Sequence, residues 1–520
     1  MQPREALFLG ACLLELVVAN MTFALISPFF PIYAPSVGLD LEQISLVFGA
    51  MSFAQLFASP LAGPLATRFG RRRMLGVGTA LLSVAGSLFG VVPPLMDGGA
   101  AAATGEAVPW LAEVLVLLRL AQGVGCAFTT TCVFAVLADA FPDSVGKVMG
   151  AAELAGGMGW TVSPPLGGLM YAAGGFTTPF LVFGPLPVAV LLLILALMPA
   201  DLPTPGGRRA EARRRAALPP AWRRVWRLGT LSLAITAVLA MLPFAIWSCF
   251  DVGFTVWMVQ EFGVDVLTAT LFFTITPLTY MLGTVPAGYA TDRWSQPGRK
   301  KLLLAIGQCV SGVLYVGFGS WWLEGASSTV QKWVIGVLLT LLGFANPLFM
   351  VPALPDMHEC HDGQASEDTT NLISALYTTM MNLGGVVGPA IATVGIGQLG
   401  FRDTIAVFGL AMVALSVGVA LFVLRAPPRI VRGSSADGLY SALDTTDEAA
   451  AHEAVVLEEK REEERLLAAE TAAEARQTAW RIAAAEDERE HGSPCASPRS
   501  PAALRPQPEP EPQASSASET

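Results

Sequence analysis

Twelve long apolar stretches, separated by short polar segments, run from near residue 6 to near residue 424. An α-helix needs roughly 20 apolar residues to cross a bilayer. Because backbone groups in lipid must pair within the segment, these lengths predict helices rather than barrel strands. The first stretch has no small-residue cleavage site after it, so it is interpreted as a membrane helix and not as a signal peptide. The predicted spans lie near 6–30, 43–67, 74–94, 111–138, 146–172, 177–199, 229–258, 267–290, 301–322, 332–353, 367–396 and 402–424.

Composition agrees with a membrane protein. Hydrophobic residues make up 53% of the 520 residues and charged residues 14%, against about 25% charged residues in a soluble domain. The seven cysteines suggest neither a disulfide framework nor a zinc site, because five fall within spans. No nucleophile–base pair, metal cluster or phosphate-binding loop is evident, so we expect no enzyme, no cofactor and no nucleic-acid partner.

Basic residues predict the orientation of the chain. Arginines 68, 71, 72 and 73 follow the second span, a cluster in 208–227 follows the sixth, and Arg293, Arg299, Lys300 and Lys301 follow the eighth. The opposite loops hold few basic residues. Since short loops rich in Lys and Arg stay on the cytoplasmic side, we expect both termini and the segment 201–228 to be cytoplasmic.

The two halves of the chain repeat. Gly63-Pro-Leu-Ala-Thr-Arg68 closes the second span, and Gly288-Tyr-Ala-Thr-Asp-Arg293 closes the eighth, 225 residues later. Gly159 to Pro164 in the fifth span is followed at the same offset by Gly384 to Pro389 in the eleventh. This register predicts two pseudo-symmetric six-helix bundles, 1–200 and 229–425, joined by a linker over 201–228, with a substrate site near the midplane between them.

Several motifs carry a family resemblance. Residues 63–73, GPLATRFGRRR, resemble the loop motif of the major facilitator superfamily. Arg119 to Gly123, RLAQG, is similar to the fourth-span motif of its proton-coupled members, and residues 150–168 resemble the fifth-span antiporter motif. Four segments are similar to the vesicular amine transporter family, particularly its polyamine branch: 27–34, 150–159, 248–262 and 351–360. The resemblance implies the major facilitator fold and an alternating-access antiporter.

The resemblance also implies gating and packing residues. These are Gly63, Arg68, Gly70, Arg71, Asp139, Gly159, Pro164, Gly167, Gly168, Asp292, Arg293, Gly384, Gly388 and Pro389. The chain departs from the family pattern at Thr67, where an acid is usual, and at Ser163, where glycine is usual. Gating by the first motif copy is therefore expected either to depend on Arg68, Arg71 and Asp139 or to be weaker, while the second copy retains Asp292.

Five charged residues within the spans are candidates for substrate binding or proton coupling: Glu15, Arg119, Glu153, Asp251 and Asp356. Each costs about 2.5–3.5 kcal/mol at a helix centre on insertion scales, so each needs a reason. A carboxyl in low dielectric can hold a proton and release it when a cation arrives, which would couple the two fluxes. The alternatives are structural ion pairs, such as Arg119 with Glu153 or Glu15, and an interfacial position for Asp356.

Aromatic residues near Asp251, namely Phe250, Phe254 and Trp257, could supply cation–π contacts, although lipid-facing packing is the alternative for at least two of them. A possible metal cluster at His358, Cys360 and His361 is interpreted instead as a polar loop. The tail, 426–520, predicts a charged helix followed by a disordered Pro- and Ser-rich end. Sorting-signal patterns at Tyr440–Leu443 and Glu462–Leu467 suggest adaptor partners, and ordinary helix surface is the alternative.

These observations predict a proton-coupled antiporter of organic cations, polyamines or monoamines, in a vesicle or vacuole membrane more than in the plasma membrane. Its expected partners are the cation, protons and the lipid bilayer. Two alternatives stay open: a multidrug efflux antiporter of the plasma membrane, and a transporter-like receptor or scaffold that acts through its tail.

Overall fold

The computed structural model describes residues 3–97, 108–141, 144–198, 231–293, 299–319, 325–359 and 367–425, and these residues form helices and no strand. Six long helices make up the first half of the described chain and six the second. The first six are α1 Pro3–Ala24, α2 Leu41–Phe69, α3 Arg71–Asp97, α4 Leu111–Ala140, α5 Val145–Gly174 and α6 Thr178–Leu197. The second six are α7 Leu231–Phe262, α8 Val266–Arg293, α9 Arg299–Val316, α10 Ser328–Glu359, α11 Glu367–Leu399 and α12 Phe401–Arg425.

Ten of these helices are long and apolar enough to cross a membrane. The other two, α5 and α9, carry polar residues such as Glu153 and Lys301 and occupy the remaining places in the bundle. The prediction of an all-α membrane protein with twelve spanning helices is therefore confirmed.

Proline and glycine account for the places where helices end or break. The predicted first span extends to residue 30, but α1 ends at Ala24 and the chain continues through the short helical turns Phe30–Tyr33 and Ala34–Val37. Pro28 and Pro31 lack the amide hydrogen that an α-helix would need there. α2 then begins with a capping box, in which Asp40 accepts from the Gln43 amide and the Gln43 side chain accepts from the Asp40 amide.

The same close contact between two helices occurs in both halves. A side chain at Gly159 of α5 would overlap the carbonyl oxygen of Val17 on α1. A side chain at Gly384 of α11 would likewise overlap the carbonyl oxygen of Met241 on α7. The sequence offset of 225 thus corresponds to a repeated helix pair, in which glycine allows close backbone approach.

Two corresponding helix pairs form contacts between the halves. α2 packs against α11, and α5 packs against α8. Gly385 of α11 lies against Ser52 of α2, and Gly168 of α5 lies against Thr270 of α8.

The hydrophobic cores show which end of the bundle is closed. We call the end with the α2–α3 junction at Gly70 the basic end, and the opposite end, with the turn Phe30–Tyr33, the distal end. One core spans both halves at the distal end, and the other clusters each lie within a single half. The halves are therefore joined at the distal end, and toward the basic end each described core cluster belongs to one half.

Candidate functional site

Arg119 is a fully buried cation in the first half, close to the distal end. It donates to the carbonyl oxygen of Thr22 at 3.1 Å and to Oε1 of Gln122 at 2.9 Å, and more weakly to the carbonyl oxygens of Val47 and Phe23 at 3.4 Å. Gln122 in turn donates to the carbonyl oxygen of Ala85. The arginine and glutamine of the RLAQG motif thus act together, because the amide holds the guanidinium while backbone oxygens solvate it.

Asp251 faces Arg119 from the second half. Its side chain is buried on α7, and the charges of Asp251 and Arg119 interact across the junction of the halves. The Ser27 hydroxyl lies near the carboxyl, outside good hydrogen-bond geometry. Oδ1 of Asp251 and Oγ1 of Thr255, one turn further along α7, also have no hydrogen-bond partner among the described residues. Asp251 therefore keeps a buried carboxyl oxygen that receives no hydrogen bond from the described residues.

Glu153 lies nearer the basic end, on α5, and its side chain is exposed. It interacts electrostatically with Tyr377 of α11, which belongs to the other half. Glu153 therefore lies on the side of α5 that is near the second half. Asp251 and Glu153 therefore bring carboxyls from both halves to one cleft.

Aromatic rings occupy the cleft between these two carboxyls. Trp160 stacks on Phe23 with ring centroids 4.4 Å apart, and it contacts the edge of Phe244 on α7 at 6.1 Å. Its indole nitrogen donates to Oδ1 of Asn20 at 2.9 Å, which fixes the ring. Within the second half, Trp247 contacts Tyr280 of α8 at 6.1 Å and lines a cavity together with Phe250. An aromatic lining with carboxyls at both ends is suited to a cation that has an apolar body.

The aromatic residues named from the sequence lie elsewhere. Phe250 stacks on Phe254 with centroids 4.5 Å apart, and Trp257 stacks on Phe401 at 5.2 Å. All three pack inside the second half, so they face neither lipid nor the cleft. Only the helical register of α7 decides this, because position 251 points toward the first half while 250, 254 and 257 point away from it.

Asp356 is buried within the second half and is not interfacial. It forms an ion pair with Lys301 of α9 at 2.6 Å and accepts from Oγ1 of Thr236 on α7 at 2.6 Å. Lys301 also donates to the carbonyl oxygen of Ser232 at 3.1 Å and to the hydroxyl of Thr236. From the sequence alone, Lys301 counts among the basic residues that follow the eighth span, although the predicted ninth span begins at the same residue, and this buried cation is therefore not identified. The available signal for its burial was its position directly before the apolar residues of α9, as the third residue of that helix.

The chain matches known transporters over most of its length. The profile of the Major Facilitator Superfamily matches residues 13–258 and 236–485. The chain belongs to the major facilitator superfamily. It is 27% identical to the "MFS-type transporter SLC18B1" of Mus musculus over 439 residues, which is 83% of this chain and 88% of that protein. The human protein of that name is 25% identical over 421 residues, covering 80% of this chain and 86% of the relative.

Vesicular transporters and solved structures match as well. A probable vesicular acetylcholine transporter-B of Danio rerio is 27% identical over 208 residues, 38% of each chain. The resemblance to the vesicular amine transporter family is thus confirmed. Among solved structures, a bacterial homologue of the human lysosomal transporter Spinster, inward-facing and occupied, superposes with a TM-score of 0.63 at 13% identity, over 84% of this chain and all of that one. That likeness shows the fold.

The superfamily loop motif forms a charge contact at the basic end. Arg71 is ion-paired with Asp139 of α4 and donates to the carbonyl oxygen of Ala135 at 2.6 Å. Gly70 has a φ of +93°, a backbone conformation that favours glycine, and it makes the sharp junction of α2 and α3. Arg68 lies over the ring of Phe69 at 5.4 Å. Of the predicted gating charges in this motif copy, the structure therefore joins Arg71 and Asp139.

In the second half, Asp292 and Arg293 lie exposed at the end of α8. The charge contact between helices is made instead by Lys300 of α9 and Glu359 of α10. This pair joins α9 to α10 as Arg71 and Asp139 join α3 to α4.

The remaining predicted packing positions fall into two groups. Gly159, Gly167, Gly168, Gly384 and Gly388 each lie against a neighbouring helix, so a side chain there would overlap it. Gly63, by contrast, has open space beside it. The helix α5 continues through Pro164 without ending there. Pro389 of α11 lies beside Gly49 of α2.

Some predictions fall outside the described residues. These are the linker, the tail with its sorting patterns, and the cluster members Cys360 and His361. Within the described ranges, no group of three potential metal ligands comes together.

Proposed function

We propose that this transporter exchanges organic cations for protons by alternating access, with polyamines as the first substrate class and monoamines as the second. The observation that carries the proposal is the pair of carboxyls, Asp251 and Glu153, at the two ends of an aromatic cleft between the halves. A polyamine carries several positive charges separated by methylenes. Such a chain can meet two separated carboxyls while its methylenes lie against Trp160 and the facing rings.

Proton coupling follows from competition for one carboxyl. Asp251 is out of contact with water and has an oxygen without a donor, so it is compatible with either a proton or an ammonium group. Arriving cation displaces the proton, and proton binding on the other side displaces the cation. No covalent step is needed.

The basic end is proposed to face the cytoplasm, since it carries the arginines and lysines of the short loops. The cleft then opens toward the cytoplasm, where a vesicular or vacuolar carrier would load its substrate. The names of the similar vesicular acetylcholine transporters support a vesicle membrane.

The test is uptake of labelled spermidine into proteoliposomes with an acidic interior, with and without an uncoupler. We expect uncoupler-sensitive accumulation that Asp251→Asn abolishes and Glu153→Gln reduces. Wild-type rates in both variants, from correctly folded protein, would contradict the cation site. No uptake by the wild type would remove polyamines as the substrate class.

A multidrug antiporter is the second candidate. A Multidrug resistance protein B homolog of Mycobacterium tuberculosis is 28% identical over 195 residues, 37% of this chain and 33% of that protein, and an aromatic cleft accepts bulky cations. A panel of monoamines and aromatic drug cations in the same proteoliposomes separates the two candidates.

A further inference from the structure

Glu15 is a buried carboxyl that the cation cleft does not use. It lies at the middle of α1 and is fully buried within the first half. Its Oε1 accepts from the Thr79 hydroxyl of α3 at 3.1 Å, and that hydroxyl lies 3.2 Å from the Thr129 hydroxyl of α4. Oε2 is buried without a hydrogen-bond partner among the described residues.

No cation compensates this carboxyl within ion-pair distance in the described part of the chain. The groups that interact with it electrostatically are the thiols of Cys12 on its own helix and Cys126 on α4. Arg119, on the same helix as Cys126, is held by Gln122 and by backbone oxygens. Of the other helices near Glu15, α3 supplies Thr79, α6 contains no titratable residue, and the titratable Glu153 of α5 faces the cleft.

An ionised carboxylate with one bare oxygen is costly in a dry interior, so this packing favours the protonated acid. Ionisation requires α1 to move against α3 and α4 until water or a donor reaches Oε2. The same helix carries Asn20, which holds Trp160 in the cleft, and Ser27 follows its distal end beside Asp251. A movement that releases the proton from Glu15 therefore also displaces parts of the cation site.

We propose that Glu15 is a second proton-binding site, separate from the cation site, so that one proton is carried inside the first half in addition to the proton that competes with the cation at Asp251. This inference rests on the proposed exchange of cations for protons. It predicts that the two functions can be separated by substitution. Glu15→Gln keeps the shape of the side chain and its acceptor for Thr79, and it mimics the protonated acid permanently.

Two assays in proteoliposomes test the separation with labelled spermidine as the probe. The first is accumulation driven by an acidic interior, which requires net proton exchange. The second is counterflow, in which unlabelled spermidine inside exchanges for labelled spermidine outside without a pH gradient and with an uncoupler present. Glu15→Gln is expected to accumulate less spermidine for a given pH gradient and to keep counterflow near the wild-type rate, whereas Asp251→Asn loses both.

A second pair of variants is independent of Glu15→Gln folding correctly. Thr79→Val removes the donor to the carboxyl and is expected to shift the pH midpoint of accumulation. Thr130→Val is the matched control, because the Thr130 hydroxyl bonds the Cys126 carbonyl of its own helix at 2.8 Å, and it should leave the midpoint unchanged.

Three results would overturn the inference. Glu15→Gln could accumulate spermidine as the wild type does, or it could lose counterflow although folded, or Thr79→Val could leave the midpoint unshifted. If the wild type shows neither accumulation nor counterflow, the proposed exchange itself is overturned, which the wild-type controls reveal before any variant is compared.

Discussion

The buried ion pair of Lys301 and Asp356 allows a quantitative prediction about stability. Lys301→Met keeps the length of the side chain but removes its charge and its bonds to Asp356, Thr236 and the Ser232 carbonyl. Asp356 would then be a buried carboxylate held by the Thr236 hydroxyl without the cation. Removing one partner of a buried pair costs about 3–5 kcal/mol. We expect a loss of this size in the free energy of unfolding.

Two further variants show whether the loss comes from the uncompensated charge. The double variant Lys301→Met/Asp356→Leu replaces the pair with apolar groups, and such replacements are often neutral or stabilising by about 1–4 kcal/mol. It should therefore be more stable than Lys301→Met alone. Lys300→Met is the matched control, because Lys300 and Glu359 form a partly exposed pair, and exposed pairs contribute about 0–1 kcal/mol.

Unfolding can be followed in detergent through the cysteines. Cys12, Cys126, Cys132 and Cys249 are all buried, so a thiol-reactive dye reports their exposure as a denaturing detergent is added. A Lys301→Met protein within about 1 kcal/mol of the wild type would refute the argument, since breaking a buried pair should cost more. A double variant as unstable as the single one would also refute it.

The remaining predictions concern packing, the cleft and the basic end. Gly159→Val should abolish transport, because the new side chain would overlap the Val17 carbonyl oxygen. Gly157→Ala should retain transport, because there is open space beside Gly157. Transport rates measured at equal expression test both expectations. Trp160→Leu should raise the KM for spermidine by about 2- to 30-fold, since a cation–π contact is worth ~0.5–2 kcal/mol, while Trp160→Phe should raise it less. Arg71→Gln should change the transport rate by breaking the ion pair with Asp139 at the basic end, and Asp139→Asn should change the rate by the same amount. Different transport rates in the two variants would contradict a shared role of the two residues.

Hydropathy predicted the number and order of the membrane helices, because spanning length and backbone pairing are properties of each segment alone. The offset of 225 residues predicted the repeated packing, and the pairs Gly159 with Val17 and Gly384 with Met241 bear this out. Charges at the middle of apolar segments were also recognisable, since lipid makes each of them costly wherever it points.

The partners of those charges depended on tertiary structure. The sequence predicts Asp356 as a candidate for substrate binding or proton coupling, together with Glu153 and Asp251. In the structure, α9 and α10 pack together and pair Asp356 with Lys301. Phe250, Phe254 and Trp257 are close to Asp251 in sequence, yet the rotation of α7 turns them into the core of the second half.

The sequence by itself determined the membrane helices, their repeat and most of the charges within the spans, because each follows from the solvation of a single segment. Only the tertiary structure decided which charges face the cleft, since that depends on the rotation of each helix against neighbours from distant parts of the chain. Trp160, Tyr280 and Tyr377 had no local signal for this reason. They are brought near Asn20 and Glu153 only when helices from distant parts of the chain pack against one another.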